Sequence, residues 1–152
     1  LNHTRDRDDV NRFIGNVTLS YEIADFLNLT YRIGLDRTNM LNNYMINKNG
    51  VQGSAVLGLF ATSNRNIMNY DQIVNLNGAV ELSEDLDLDF LVGANLKSRD
   101  YELSQITSTD MFIFGFFDHS NFTTTTANTY VSRENTYGAF ANVTLGYKDW
   151  GF

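Results

Sequence analysis

Long runs of strict two-residue alternation between apolar and polar side chains constrain this sequence more than any other feature. In residues 13–23 the odd positions are apolar, aromatic or Gly, and the even positions from Asn16 to Glu22 are polar. The pattern returns in segments 27–36, 73–82, 86–97 and 137–147. A period of two indicates a β-strand with one apolar face. The sequence therefore predicts about five long strands.

Short breaks and long polar stretches alternate between these segments. The short breaks lie near Asp25, Glu84 and Asp149, 59 and then 65 residues apart. The polar stretches cover residues 37–65 and 104–133, and we expect them to form long loops. Because short connections join neighbouring antiparallel strands, the order predicts an all-β antiparallel meander. Short turns would lie at one end of the strands and long loops at the other.

Composition narrows the classes of function. The chain holds 19 Asn and 14 Thr, which suit turns and strands, and its net charge of −7 argues against a nucleic-acid partner. The absence of Cys excludes thiolate metal sites and thiol nucleophiles within these 152 residues. The longest apolar run, Met111–Phe117, has seven residues, well below the ~18 of a membrane helix.

Two architectures share this alternation, a soluble β-sandwich and a partial transmembrane β-barrel. The apolar phase of the five segments contains 28 positions, and none carries a charge. The predicted strands exceed the ~5–6 residues usual in soluble proteins. Tyr137 and Tyr147 lie ten residues apart on the apolar phase, roughly 25 Å along a tilted strand, which matches the apolar band of a barrel. These features favour the barrel.

The two architectures predict opposite surroundings for the same side chains. In a barrel wall the apolar phase faces outward and is exposed when the strands are taken alone. In a sandwich, a carbohydrate-binding or adhesion module being the alternative, it packs between two sheets. The positions that we use to separate them are Val17, Leu19, Val80, Leu88 and Val143.

Four segments resemble the SusC/RagA-like TonB-dependent transporters of the Bacteroidetes outer membrane. They are Asn11–Tyr21, Leu29–Asp36, Leu91–Asn95 with Arg99–Glu102 after it, and Tyr137–Asp149. Their order resembles the middle of the transporter barrel and covers nearly the whole chain, although Trp150-Gly151 departs from the expected start of the next strand. The resemblance implies that residues 1–152 form part of a TonB-dependent receptor β-barrel domain, with the plug domain and the remaining strands lying outside them.

The same resemblance implies a location, partners and a cargo. The location would be the outer membrane of a Gram-negative, Bacteroidetes-like cell, and the function would be import of glycans, oligosaccharides or peptides. The implied partners are outer-membrane lipid, the plug domain of the parent chain, a SusD-like surface lipoprotein and TonB. Nucleic acid is not among them, and neither an enzymatic activity nor a cofactor is expected.

Seven side chains are candidates to face a ligand. The charged ones occupy the polar phase, where they would line a substrate path, contact the plug or simply belong to a hydrated barrel interior. The aromatic ones belong to the run Met111–Phe117, where they would pack inside the loop or stack on a ligand at the mouth. The candidates are Arg32, Asp36, Asp89, Lys97, Phe114, Phe116 and Phe117.

No residue is predicted to be catalytic or to bind a metal. Asp85, Asp87 and Asp89 resemble the start of a calcium loop, but the Leu residues between them favour the polar face of a strand. His3 and His119 are 116 residues apart, and no Ser lies in a nucleophile motif.

Overall fold

The computed structural model describes residues 4–49 and 57–147 of the chain. Five strands form one sheet in the order in which they occur along the chain. They are β1 (Thr4–Ala24), β2 (Leu27–Ile46), β3 (Leu59–Ser83), β4 (Leu86–Met111) and β5 (Phe122–Tyr147), and a 3-10 turn, His119–Asn121, precedes β5. The predicted all-β antiparallel meander is confirmed.

Two-residue turns join β1 to β2 and β3 to β4. They fall at Asp25-Phe26 and Glu84-Asp85, within the short breaks of the sequence pattern. The backbone N–H of Ala79 in β3 donates a hydrogen bond to the carbonyl of Phe26, which ties the first turn to the third strand. The third predicted break, 148–151, lies outside the described residues.

The strands extend far beyond the alternating segments, so most of the predicted loop residues were assigned wrongly. β2 continues to Ile46 and β3 begins at Leu59, while β4 continues to Met111 and β5 begins at Phe122. The second long connection shrinks to 112–121, and the first lies between Ile46 and Leu59. Polar side chains lie on both faces of these extensions, so the periodic signal used for prediction is absent there.

Side-chain amides and carboxylates join the polar extensions across the sheet. Asn39 Nδ2 donates to Oδ1 of Asn64 at 2.9 Å and of Asn66 at 2.6 Å. Asn42 Nδ2 donates to Oδ1 of Asp6 at 2.6 Å and of Asp8 at 2.8 Å. Cross-strand pairs of this kind stabilise a sheet without an apolar face. The abundance of Asn therefore supports strands here, and not only turns.

The chain divides into two units. The first comprises Leu1–Phe13, Arg37–Met68 and Asp100–Arg133. Among its described residues, Phe60, Met111 and Phe122 form a small apolar cluster, with Met45 and Phe117 packed against it. Ile46 is buried as well.

The second unit comprises Ile14–Asp36, Asn69–Arg99 and Glu134–Phe152. None of its described large apolar side chains is buried. Val17, Leu19 and Val143 are 56%, 63% and 63% exposed, as the barrel interpretation predicts. Val80 and Leu88 are half-buried, and neither belongs to an internal core. The β-sandwich alternative, which requires these side chains between two sheets, is not favoured.

Candidate functional site

Two of the charged candidates line one hollow on the polar phase of the second unit. Arg32 and Asp36 share a space of about 370 Å³ with Asn16, Asn69 and Asp71. Residue 34, between the two candidates in β2, is Gly, and a Cβ built there would stand 3.8 Å from the Asp71 carbonyl oxygen. The missing side chain leaves a recess whose walls offer a guanidinium, carboxylates and amides.

Lys97 extends this group of charges through Asp71. Its Nζ lies 3.9 Å from Asp71 Oδ2, and both side chains are substantially exposed. An exposed pair at that distance contributes little to stability, ~0–1 kcal/mol. Asp71 Oδ1 is buried and accepts no hydrogen bond from the part of the chain that the structure describes. A buried acceptor without a partner costs free energy in the folded chain.

Asp89 lies apart from the other charged candidates. It lines a second hollow, about 480 Å³, beside the β1–β2 turn, together with Glu22, Asn28, Asn77 and Asn142. The structure thus brings Arg32 and Asp36 together but places Asp89 in a different, acidic environment.

The three aromatic candidates have different surroundings. Phe114 and Phe116 are 58% and 52% exposed in the 112–121 connection. Phe117 packs against Phe60, with ring centroids 5.9 Å apart. Phe117 therefore packs inside the folded connection, whereas the stacking of Phe114 and Phe116 on a ligand stays a prediction.

Asn121 fixes the exposed part of this connection. Its Oδ1 accepts from the backbone N–H of Ile113 at 2.9 Å, and its Nδ2 donates to the carbonyls of Ile113 at 2.8 Å and Phe116 at 2.7 Å. Asn47 Oδ1 accepts from the backbone N–H of Gly115 at 2.9 Å. Because Asn121 is buried, its hydrogen bonds hold the backbone that carries the exposed rings in place.

His119 anchors the same connection to the strands beneath it. Nδ1 lies 2.8 Å from Ser108 Oγ, Nε2 lies 3.0 Å from Thr62 Oγ1, and the ring stacks on Phe60 with a centroid separation of 4.4 Å. Ser108 Oγ also lies 2.7 Å from Thr125 Oγ1. Burial lowers the pKa of His119 below its ordinary value, and the nearby Asp118 carboxylate partly opposes that shift. Sequence reasoning missed this cluster because no motif links residues so far apart.

The Ser108–His119 contact resembles a nucleophile–base pair but is not open to substrate. Ser108 is 0% exposed and its hydroxyl is shared between His119 and Thr125. The neighbouring carboxylate, Asp118, accepts from Ser120 Oγ at 2.6 Å and from its backbone N–H at 2.9 Å. These bonds lower the pKa of Asp118 and keep it within its own turn. The geometry is that of an anchor.

Within residues 4–49 and 57–147, no cluster of three or more His, Asp or Glu side chains is arranged to hold a metal ion. No helix among the described residues is long and apolar enough to cross a membrane.

Solved structures of a peptide transporter are similar to this chain. The structure of the RagAB peptide transporter matches 97% of this chain with a TM-score of 0.86 at 15% sequence identity. The RagAB peptide importer matches in its 'closed-closed' state with a TM-score of 0.80 at 13% identity over 99% of this chain, and in its 'open-open' state with a TM-score of 0.78 at 15% identity over 97%. This chain has the fold of one segment of that transporter.

The matched segment is a small part of those proteins, since this chain spans 17% of the length of each solved chain. No protein-family model and no curated protein sequence matches the chain. The predicted resemblance to SusC/RagA-like transporters is confirmed for the fold.

Proposed function

We propose that this chain forms five strands of the wall of a SusC/RagA-like, TonB-dependent transporter in the outer membrane. The observation that carries the proposal is the fold match to the RagAB peptide transporter over 97% of the chain. That transporter is described as importing peptides, which favours peptides as cargo over glycans or oligosaccharides. In this proposal the chain does no chemistry and supplies wall and loops around a passage.

The exposed apolar phase of the second unit supports a membrane location. Val17, Leu19 and Val143 alternate with polar residues and meet no internal core. Tyr137 and Tyr147, on the same phase of β5, are exposed too. An outward apolar band with aromatic residues at its limits is the pattern of a barrel wall in lipid.

The polar phase supports a hydrated passage. Arg32, Asp36 and Asp71 line one hollow, and Lys97 approaches Asp71. The plug domain of the parent chain, a SusD-like lipoprotein above the mouth and TonB below belong to the proposal as partners. Exposed rings such as Phe114 and Phe116 would meet cargo or lipoprotein at the mouth.

Cysteine placement on adjacent residues tests the orientation of the wall. The chain contains no Cys, so each new one is unique within it. Val17→Cys and Leu19→Cys place a bimane label on the apolar phase, and Asn16→Cys and Thr18→Cys are matched controls on the polar phase. In the complete protein in lipid vesicles, a nitroxide-bearing lipid should quench the labels at 17 and 19 at least about threefold more than those at 16 and 18. Equal quenching at the four positions would contradict the proposal.

Cargo class is tested by uptake in cells that make the complete protein. We expect fluorescent oligopeptides to accumulate and labelled oligosaccharides not to, with accumulation abolished when the proton gradient is removed. Arg32→Ala and Asp36→Ala should reduce uptake without changing the amount of protein in the outer membrane. Preferential accumulation of oligosaccharides would overturn the peptide assignment and leave the transporter assignment standing.

A further inference from the structure

A recess in the first unit places two arginines on either side of an acid. Arg37 of β2 and Arg133 of β5 line a space of about 500 Å³, with Met68 of β3, Asp100 of β4 and Val131 between or beside them. No predicted candidate residue belongs to this recess. Its lining combines the two guanidinium groups with two carboxylates, those of Asp100 and Glu102, and with apolar side chains.

Arg133 is held in position by Asp100. Its Nε lies 2.6 Å from Oδ1 and its Nη2 lies 3.3 Å from Oδ2, so the carboxylate engages one edge of the guanidinium. The N–H groups of Nη1 are not used in this pair. Arg37 is exposed and forms no ion pair with any residue that the structure describes. One arginine is therefore pre-oriented, and the other is open to an anionic group.

Strand alternation puts both arginines on the apolar phase of their strands. Arg37 follows Leu35 by two residues in β2, and Arg133 precedes Tyr137 by four in β5. The cross-strand contact of Arg133 with Asp100 shows that Asp100 faces the same side as Arg133. Two to four residues of a strand tilted by ~40° rise ~5–10 Å along the membrane normal. The headgroup layer of one leaflet, beyond the ~30 Å hydrocarbon core, is ~5–8 Å deep.

We propose that this recess, defined by Arg37, Met68, Asp100, Val131 and Arg133, binds the phosphate of a membrane lipid headgroup. The inference rests on the proposed membrane location. Guanidinium groups bind phosphate oxygens through paired, charge-assisted hydrogen bonds. Met68 and the exposed Val131 offer apolar contact to the glycerol and the first methylenes of the acyl chains. Because the two acids of the recess offset the charge of its two arginines, a free anion gains little there, and the apolar contacts favour a lipid.

Native mass spectrometry of the complete protein in mild detergent tests the site with three probes. They are phosphatidic acid, the diacylglycerol with the same acyl chains, and inorganic phosphate. We expect saturable retention of phosphatidic acid, with none for diacylglycerol and no displacement by inorganic phosphate. Arg37→Ala and Arg133→Ala should each weaken retention about fivefold, and the double variant about twentyfold or more, the effect expected for arginines at an anionic lipid surface.

Matched variants separate the site from general surface charge and from misfolding. Arg99→Ala removes the same side chain one residue from Asp100 but on the opposite phase, and we expect no change. Replacing both recess arginines by Lys keeps the charge but loses the paired hydrogen bonds, and it should restore only part of the retention. Asp100→Asn removes one of the two carboxylates that repel a phosphate in the recess and should tighten retention at least about twofold.

Three outcomes would overturn the inference: unchanged retention in the double Ala variant, equal loss in the R99A variant, or displacement by micromolar inorganic phosphate. Each of these leaves the transporter proposal intact if the labels at positions 17 and 19 still report lipid. If those labels do not report lipid, the membrane location fails, and this inference fails with it.

Discussion

Gly93 in β4 is a position where a single added methyl group should be costly. Gly93 is buried beneath the ring of Phe140 from β5 and beside the side chain of Asn75 from β3. A Cβ built there would stand 2.6 Å from both Asn75 Oδ1 and Phe140 Cε2, and it would touch Phe140 Cζ more closely still. Two elements would have to move, since side chains on both neighbouring strands occupy the space.

The expected destabilisation of the G93A variant is about 1–3 kcal/mol, the usual effect of overpacking a well-packed site. Ala also lowers the conformational entropy of the unfolded chain relative to Gly, which offsets about 0.4–1 kcal/mol of this destabilisation. Gly34→Ala is the matched control, because its Cβ would lie 3.8 Å from Asp71 O and 3.9 Å from Asp71 Cβ, at ordinary contact distance. That variant should stay within about 0.5 kcal/mol of the parent or gain slightly.

The assay is urea unfolding of the complete protein after refolding into lipid vesicles, with midpoint and slope measured for each variant. Adding Phe140→Ala should reduce the penalty of Gly93→Ala, because the ring that collides with the new methyl group is gone. The reasoning fails if G93A is as well tolerated as G34A, or if its penalty is the same with and without the Phe140 ring.

Three further predictions concern the 112–121 connection. Burial lowers the pKa of His119 below 6.5, so its neutral form stabilises the anchor fully above that pH, and this contribution falls as the pH drops below it. The backbone amides of 112–121 should therefore be less protected from hydrogen exchange at about pH 5 than at about pH 7.5. A His119→Gln variant should lose that difference. Asn121→Ala removes three hydrogen bonds from a buried amide, so local opening of the connection should become easier by about 2–4 kcal/mol, measured by the same exchange. Phe117→Ala should lower the same opening energy by about 1–2 kcal/mol while Phe114→Ala changes it by less than about 0.5, and equal effects would contradict the packing described for Phe117.

The sequence predicted those parts of the fold where one face of a strand is apolar. Alternation in 13–23 and 137–147 located parts of β1 and β5, and the breaks at Asp25 and Glu84 located the turns between strands. It did not predict the extensions, because residues such as Asn39, Asn42 and Thr125 leave no hydrophobic period. Their strand conformation depends on partners across the sheet, and no local window of sequence contains those partners.

The candidate site was predicted in part for the same reason. Arg32 and Asp36 are four residues apart in one strand and so lie on the same face, which is why the alternation could indicate that they line a common hollow. The His119–Ser108 contact and the recess between Arg37 and Arg133 require the register of several strands. An unpaired cation and a paired one look alike in a sequence, so only the structure separates them.

The polar extensions of the strands restrict how the length of this chain can vary between relatives. The strands have 20 to 26 residues, whereas crossing a ~30 Å hydrocarbon layer at ~40° takes only about 12. In the remaining paired residues, inserting one amino acid would turn every following side chain to the opposite face. Insertions and deletions there should occur two residues at a time, or together with a bulge that absorbs the odd one. The two-residue rule does not apply to the 112–121 connection, whose length is restricted instead by the hydrogen bonds of Asn121 and the contacts of His119.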